Sequence, residues 1–164
     1  MRIQAAQVRN FRSVRAAGLN NCGGLNILIG KNNAGKSNLL FAIELLISHL
    51  KNGFIAVPWA SSQRAKDDFT DRDVNETIRI GIQFDLPSEL NQDLRNALMQ
   101  EMPNLERSIE QISASDQLTF IVAGTLEQGR FFRFIEQISA GPLETRSTDI
   151  SAGGIKLLTV PKSA

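Results

Sequence analysis

Eight consecutive residues concentrate the chemistry of this chain: Gly30-Lys31-Asn32-Asn33-Ala34-Gly35-Lys36-Ser37. They fit the pattern G-x-x-x-x-G-K-[ST], in which each residue type has a physical task. The loop must wrap a phosphate with its backbone N–H groups turned inward. A side chain at Gly30 or Gly35 would block that approach. A helix opening near Gly35 adds its positive N-terminal end. Lys36 reaches the β- and γ-phosphates as a point charge, which makes it the catalytic candidate, and Ser37 offers a hydroxyl to Mg2+ as the metal contact. The predicted cradle is Asn32, Asn33, Ala34, Gly35, Lys36, Ser37 and Asn38.

The motif needs a strand before it and a helix after it. Leu25-Asn26-Ile27-Leu28-Ile29 is a short apolar run between glycines, the pattern of a strand buried on both faces. From Lys36 onward, Leu39, Leu40, Ile43, Leu46, Ile47 and Leu50 recur at spacings of three and four, with Phe41, Ala42 and Leu45 on the other side. Such a helix is expected to be buried nearly all round, with Asn52-Gly53 as its stop.

Residues 2–9 and 13–19 read as strands, and 20–24 as a turn. Thr77 to Leu86 alternates cleanly and predicts a half-exposed strand of antiparallel type. Pro87 opens a helix to about Met102, with another short helix over 104–112. Strands 118–126 and 130–138 meet at Glu127-Gln128-Gly129, a hairpin. Residues 54–75 look irregular, with a charged tract from Arg64 to Asp73. Residues 139–164 show no strong period.

Composition narrows the class. In 164 residues, 42% are hydrophobic and 21% charged, which excludes a disordered tail or a disulfide-stapled miniprotein. A single cysteine, Cys22, fits a reducing compartment and reads as inert. No apolar run reaches the ~20 residues of a membrane span, and the N-terminus has no signal core. These features predict a cytoplasmic protein without a membrane partner. The net charge of +1 hides an asymmetry. Residues 1–43 carry six basic side chains (Arg2, Arg9, Arg12, Arg15, Lys31, Lys36) and no carboxylate, which suggests an anion site.

Asn10-Phe11-Arg12-Ser13, followed by Leu25 through Leu40, resembles the opening of the ABC-type ATPases of chromosome maintenance and repair. That group includes the SMC proteins, RecF, RecN, the double-strand-break repair ATPases and the OLD-family ATPase-nucleases of phage defence. Its members open with a strand, an "NFR-S" turn, a second strand and then "hNxhhGxNxxGKSNhL". The match is specific over residues 1–50 and weaker over 67–138.

The resemblance implies an α/β fold, the P-loop NTPase lobe of an ABC-type ATPase. A mixed sheet would surround a buried P-loop helix (residues 1–53), beside an antiparallel β-subdomain (54–164) with a helical insertion at about 87–112. The whole of 1–164 would be one partial ATPase domain binding ATP and Mg2+. Arg12 and Ser13 would lie beside the nucleotide. Asp67-Asp68-Phe69-Thr70 is similar to a "DEFT"-like stretch in the repair ATPases, which makes Thr70, Asp71 and Arg72 candidate base or ribose contacts. Implied partners are a missing C-terminal lobe, a second copy sandwiching the nucleotide, and DNA. Three strand arginines, Arg2, Arg9 and Arg15, could meet a DNA backbone or form a solvated face.

Several parts of a complete ABC ATPase are not visible in the sequence. Ile80 to Asp85 is the nearest run to a Walker B strand, but its alternation argues against that role. Ser151-Ala152-Gly153-Gly154 is a poor signature motif, His49 sits upstream of a switch histidine, and Trp59 reads as core. The chain is therefore expected to bind ATP but hydrolyse it poorly alone. A non-hydrolysing assembly module, or a small P-loop kinase or GTPase, are the alternatives.

Overall fold

The structure, a computed structural model, describes residues 2–32, 35–51, 65–85, 92, 96, 100, 116–140, 142–143 and 156–160. In chain order its elements are β1 (Arg2–Phe11), β2 (Val14–Leu19), β3 (Leu25–Ile29), α1 (Lys36–Lys51), β4 (Ile78–Asp85), β5 (Gln117–Glu127), β6 (Arg130–Ser139) and β7 (Lys156–Val160). Two 3-10 turns, Ala65–Asp68 and Thr70–Arg72, lie between α1 and β4.

Alternating side chains build the sheet. Val8 faces Ile80 and Ile80 faces Val122; likewise Ala6 faces Ile82 and Ile82 faces Phe120. Paired residues share a face, so the register sets one continuous apolar surface. The result is a five-stranded sheet of order β2-β1-β4-β5-β6. All of its pairings are antiparallel. β1 bonds to both β2 and β4, joining strands from before and after residue 53 in one sheet. The β5–β6 hairpin turns at Gln128 and Gly129, both at positive φ, the hand that matches strand twist.

Helix α1 packs on this apolar surface against β1, β2 and β4. Leu39, Ala42, Ile43 and Leu46 form its buried stripe. The expectation of a helix buried all round is corrected: Leu40 is 54% exposed and Glu44 is exposed. β3 departs from expectation in the same way. Among the described residues it pairs only with β7, in a separate two-stranded antiparallel ribbon. Leu28 packs toward the core, but Leu25, Ile27 and Ile29 are all exposed. Both errors have one cause. Apolar residues on two faces signal two covering layers, and among the described residues only one covers each element. For the same reason the mixed sheet expected around the helix is absent among the described strands.

β4 errs in the opposite direction. Its alternation predicts a half-exposed strand, yet Gly81 and Gln83 on its outer face are buried too. Leu143 returns over them: its N–H donates to Gln83 Oε1 at 3.0 Å, and its side chain fills the space above Gly81. A contact 60 residues away in sequence leaves no trace in local alternation. β7 was also missed, within a stretch without period. Residues 87–91 and 101–112 lie outside the described residues; Gln92, Asn96 and Gln100 are helical. Trp59 and Ser151 to Gly154 also lie outside them.

Leu39→Ala should cost about 2–5 kcal/mol in urea unfolding, whereas Leu40→Ala should stay within ~0.5 kcal/mol. Equal losses would show that α1 is not one-sided.

Candidate functional site

Three elements meet at the N-terminus of α1. β3 delivers Gly30, the loop leads to Gly35, and the turn between β1 and β2 brings Ser13 alongside. Ser13, Asn32, Gly35, Lys36, Ser37 and Asn38 line one cavity of about 530 Å3. Six of the residues singled out by sequence are thereby brought together. Asn33 and Ala34 lie outside the described residues.

Gly35 sits at φ +89°, a region that strains any residue with a Cβ. A Cβ there would also stand 3.0 Å from Ser13 Oγ. The glycine is thus required twice, by backbone and by neighbour. The helical ladder starts at Leu39 N–H donating to Gly35 O at 2.9 Å. The amides of Lys36, Ser37 and Asn38 precede that first rung, so among the described residues they have no partner within the helix.

Lys36 turns back into the loop. Its Nζ donates to Gly30 O at 2.6 Å and to Lys31 O at 2.7 Å. Two of its three ammonium hydrogens close the loop into a ring, and among the described residues the third has no partner. Asn38 Nδ2 donates to Ser13 Oγ at 2.8 Å, tying the first helical turn to the β1–β2 turn.

Arg12 lies next to this cavity without lining it. Its Nε donates to Asp68 Oδ1 at 2.8 Å, and its guanidinium rests over Phe41 and Phe11. The three residues after Phe69 are placed differently from one another. Thr70 is buried, its hydroxyl donating to Val14 O at 3.0 Å, so it faces the sheet rather than the cavity. Asp71 and Arg72 are exposed, paired with Arg15 and Asp67. None of the three lines the cavity. Of the strand arginines, Arg2 pairs with Asp85 and Arg15 with Asp71. Asp85 also takes Gln4, at the end of β1 far from the loop, so it is no partner for the cradle.

Sequence reading passed over Asn10, Asp68 and Phe41 as functional parts. Asn10 ties the 65–76 segment to β1: its Oδ1 accepts from Thr70 N–H at 3.2 Å and its Nδ2 donates to Glu76 O at 3.0 Å. The one available signal was the "NFR-S" turn itself. Asn10 and Arg12 both sit at positive φ, which a local pattern does not reveal. Cys22 is buried, and burial pushes its thiol up, in keeping with an inert residue.

A family model described as AAA ATPase domain matches residues 1–139, and the chain belongs to that family. Membership carries a P-loop NTPase fold. The chain is similar to an uncharacterized protein of Methanocaldococcus jannaschii, 46% identical over 52 residues, or 32% of this chain and 23% of that protein. It is also similar to a Helicobacter pylori protein named ATP/GTP phosphatase, 27% identical over 139 residues, or 77% of this chain and 38% of that one. The chain spans well under half the length of either relative. No helix among the described residues is long and apolar enough to cross a membrane.

Gly35→Ala should lose at least ~1 kcal/mol of stability together with nucleotide binding. Gly129→Ala, also at positive φ but with nothing within 4 Å of the added carbon, should lose stability alone. Thermal melts beside nucleotide titration of both variants check this; retained binding by Gly35→Ala would contradict it.

Proposed function

We propose that this chain is the ATP- and Mg2+-binding N-terminal lobe of a longer ATPase of the SMC/RecF/OLD-like group. The observation that carries the reading is the ring closed by Lys36 at the head of α1. It sets an ammonium among loop carbonyls while leaving the first helical amides as donors. A polyanion satisfies both, and the donor set fits a polyphosphate.

Each residue then has a task. Gly35 lets the backbone approach the phosphates. Lys36 holds charge on the β- and γ-phosphates, and the amides of Lys36 to Asn38 hold phosphate oxygens. The Ser37 hydroxyl is the protein's ligand for Mg2+, which when bound neutralises phosphate charge. Asn38 fixes Ser13 at the rim, and Arg12 adds a second cation beside it. Asn33 and Ala34 complete the cradle by their place in the motif. Asp71 and Arg72 remain candidates for the ribose side on the resemblance alone.

The exposed apolar stripe of Leu25, Ile27 and Ile29, with Leu40 on α1, supports a further layer supplied by a C-terminal lobe. In this reading the intact protein binds nucleotide between two copies and couples that assembly to DNA repair, DNA cleavage or phage defence. DNA as a partner rests on the resemblance.

Replacing Lys36 with Ala should remove detectable Mg-ATP binding in calorimetry while leaving the fold intact by circular dichroism. Unchanged affinity would refute the assignment.

A further inference from the structure

Arg12 is held more tightly than a surface arginine needs to be. Its backbone sits at φ +52°, a costly conformation for a residue with a Cβ. Its guanidinium carbon lies 4.4 Å from the Phe41 ring centre and 5.2 Å from that of Phe11. Those rings are 6.2 Å apart and form one aromatic shelf. The Asp68 carboxylate, its side chain only 9% exposed, takes Nε at 2.8 Å. Among the described residues neither terminal nitrogen of Arg12 has a partner.

The carboxylate is not needed to anchor its own segment. Arg12 N–H already donates to Asp68 O at 2.7 Å. Phe69 is buried against Phe131 and bridges to Phe11. Thr70 is bonded to Asn10 and to Val14. What the carboxylate adds is the orientation of the guanidinium. With Nε occupied, the end-on fork of two terminal nitrogens is left, a geometry that suits phosphate oxygens. Ser13, the next residue, lines the phosphate cavity.

We propose that Asp68 is a positioning residue for nucleotide binding: it fixes Arg12 on the Phe11–Phe41 shelf so that its terminal nitrogens meet the phosphates of a nucleoside triphosphate. This rests on the P-loop reading above. Asp68 touches no ligand itself; it acts through Arg12.

The test is calorimetry of the full chain with two probes, Mg-ATP and Mg-tripolyphosphate, alongside melting temperatures. Asp68→Ala should weaken both ligands ~10-fold, the factor a charge-assisted hydrogen bond carries. Asp68→Asn, which keeps an acceptor oxygen, should fall between. In an Arg12→Ala background, Asp68→Ala should weaken binding no further. Asn10→Ala, which loosens the same segment without touching the guanidinium, serves as the structural comparator. Three results would overturn the proposal: wild-type affinity in Asp68→Ala, an undiminished loss in the Arg12→Ala background, or a loss no larger than that of Asn10→Ala at matched melting temperature. Weakening for ATP but not for tripolyphosphate would overturn the phosphate assignment. A wild-type chain that binds neither probe sinks the P-loop reading. Binding that needs Lys36 and ignores Asp68 sinks this proposal alone.

Discussion

One ammonium organises the head of α1. Lys36 reaches back to the carbonyls of Gly30 and Lys31, two residues at the mouth of the loop it follows. Charge-assisted bonds of this kind are about twice as strong as neutral ones, and here they tie the helix start to the mouth of the loop. The constraint propagates outward. The loop can close only if β3 delivers Gly30 at the right height and α1 starts at the right angle. α1 keeps that angle because Leu39, Ala42, Ile43 and Leu46 are seated on the five-stranded sheet.

The β1–β2 turn is the second support, and it is held under strain. Asn10 and Arg12 adopt left-handed backbone on either side of Phe11. Strain of that sort costs on the order of 1–3 kcal/mol per residue, and the surroundings must over-determine it. Phe11 is fully buried, Asn10 bonds three groups of the following segment, and Arg12 is tied to Asp68 by backbone and side chain. The turn therefore presents Ser13 to the cavity at the head of α1 from a well-tied base. Lys36 brings a cation to the head of α1 that has no carboxylate partner among the described residues, while Arg2, Arg12 and Arg15 are each paired with a carboxylate.

Much of this was legible in the residues. The P-loop, its flanking strand and helix, the β5–β6 hairpin and the strands on either side of the Asn10–Ser13 turn follow from spacing and alternation to within two residues. Those signals are local. What the sequence hid is non-local. Leu143 covers β4 from across the chain, and β7 finds its partner in β3 more than a hundred residues earlier. The exposure of Leu40 and of Leu25, Ile27 and Ile29 could not be read from their apolar character, because burial depends on which layers are present. At the site, the hidden part was the role of Asp68 and Asn10. A carboxylate in a charged tract looks like any solvated residue until the fold sets it against an arginine.

The central claim is that the amides at the head of α1 and the ammonium of Lys36 hold a polyphosphate. Backbone amide NMR of the full chain, titrated with Mg-ATP, examines those groups one by one. The account predicts saturable shifts that are largest at Gly35, Lys36, Ser37 and Asn38, with Ser13 following at the rim. Saturable binding that leaves these amides unmoved and perturbs another face of the sheet would contradict it.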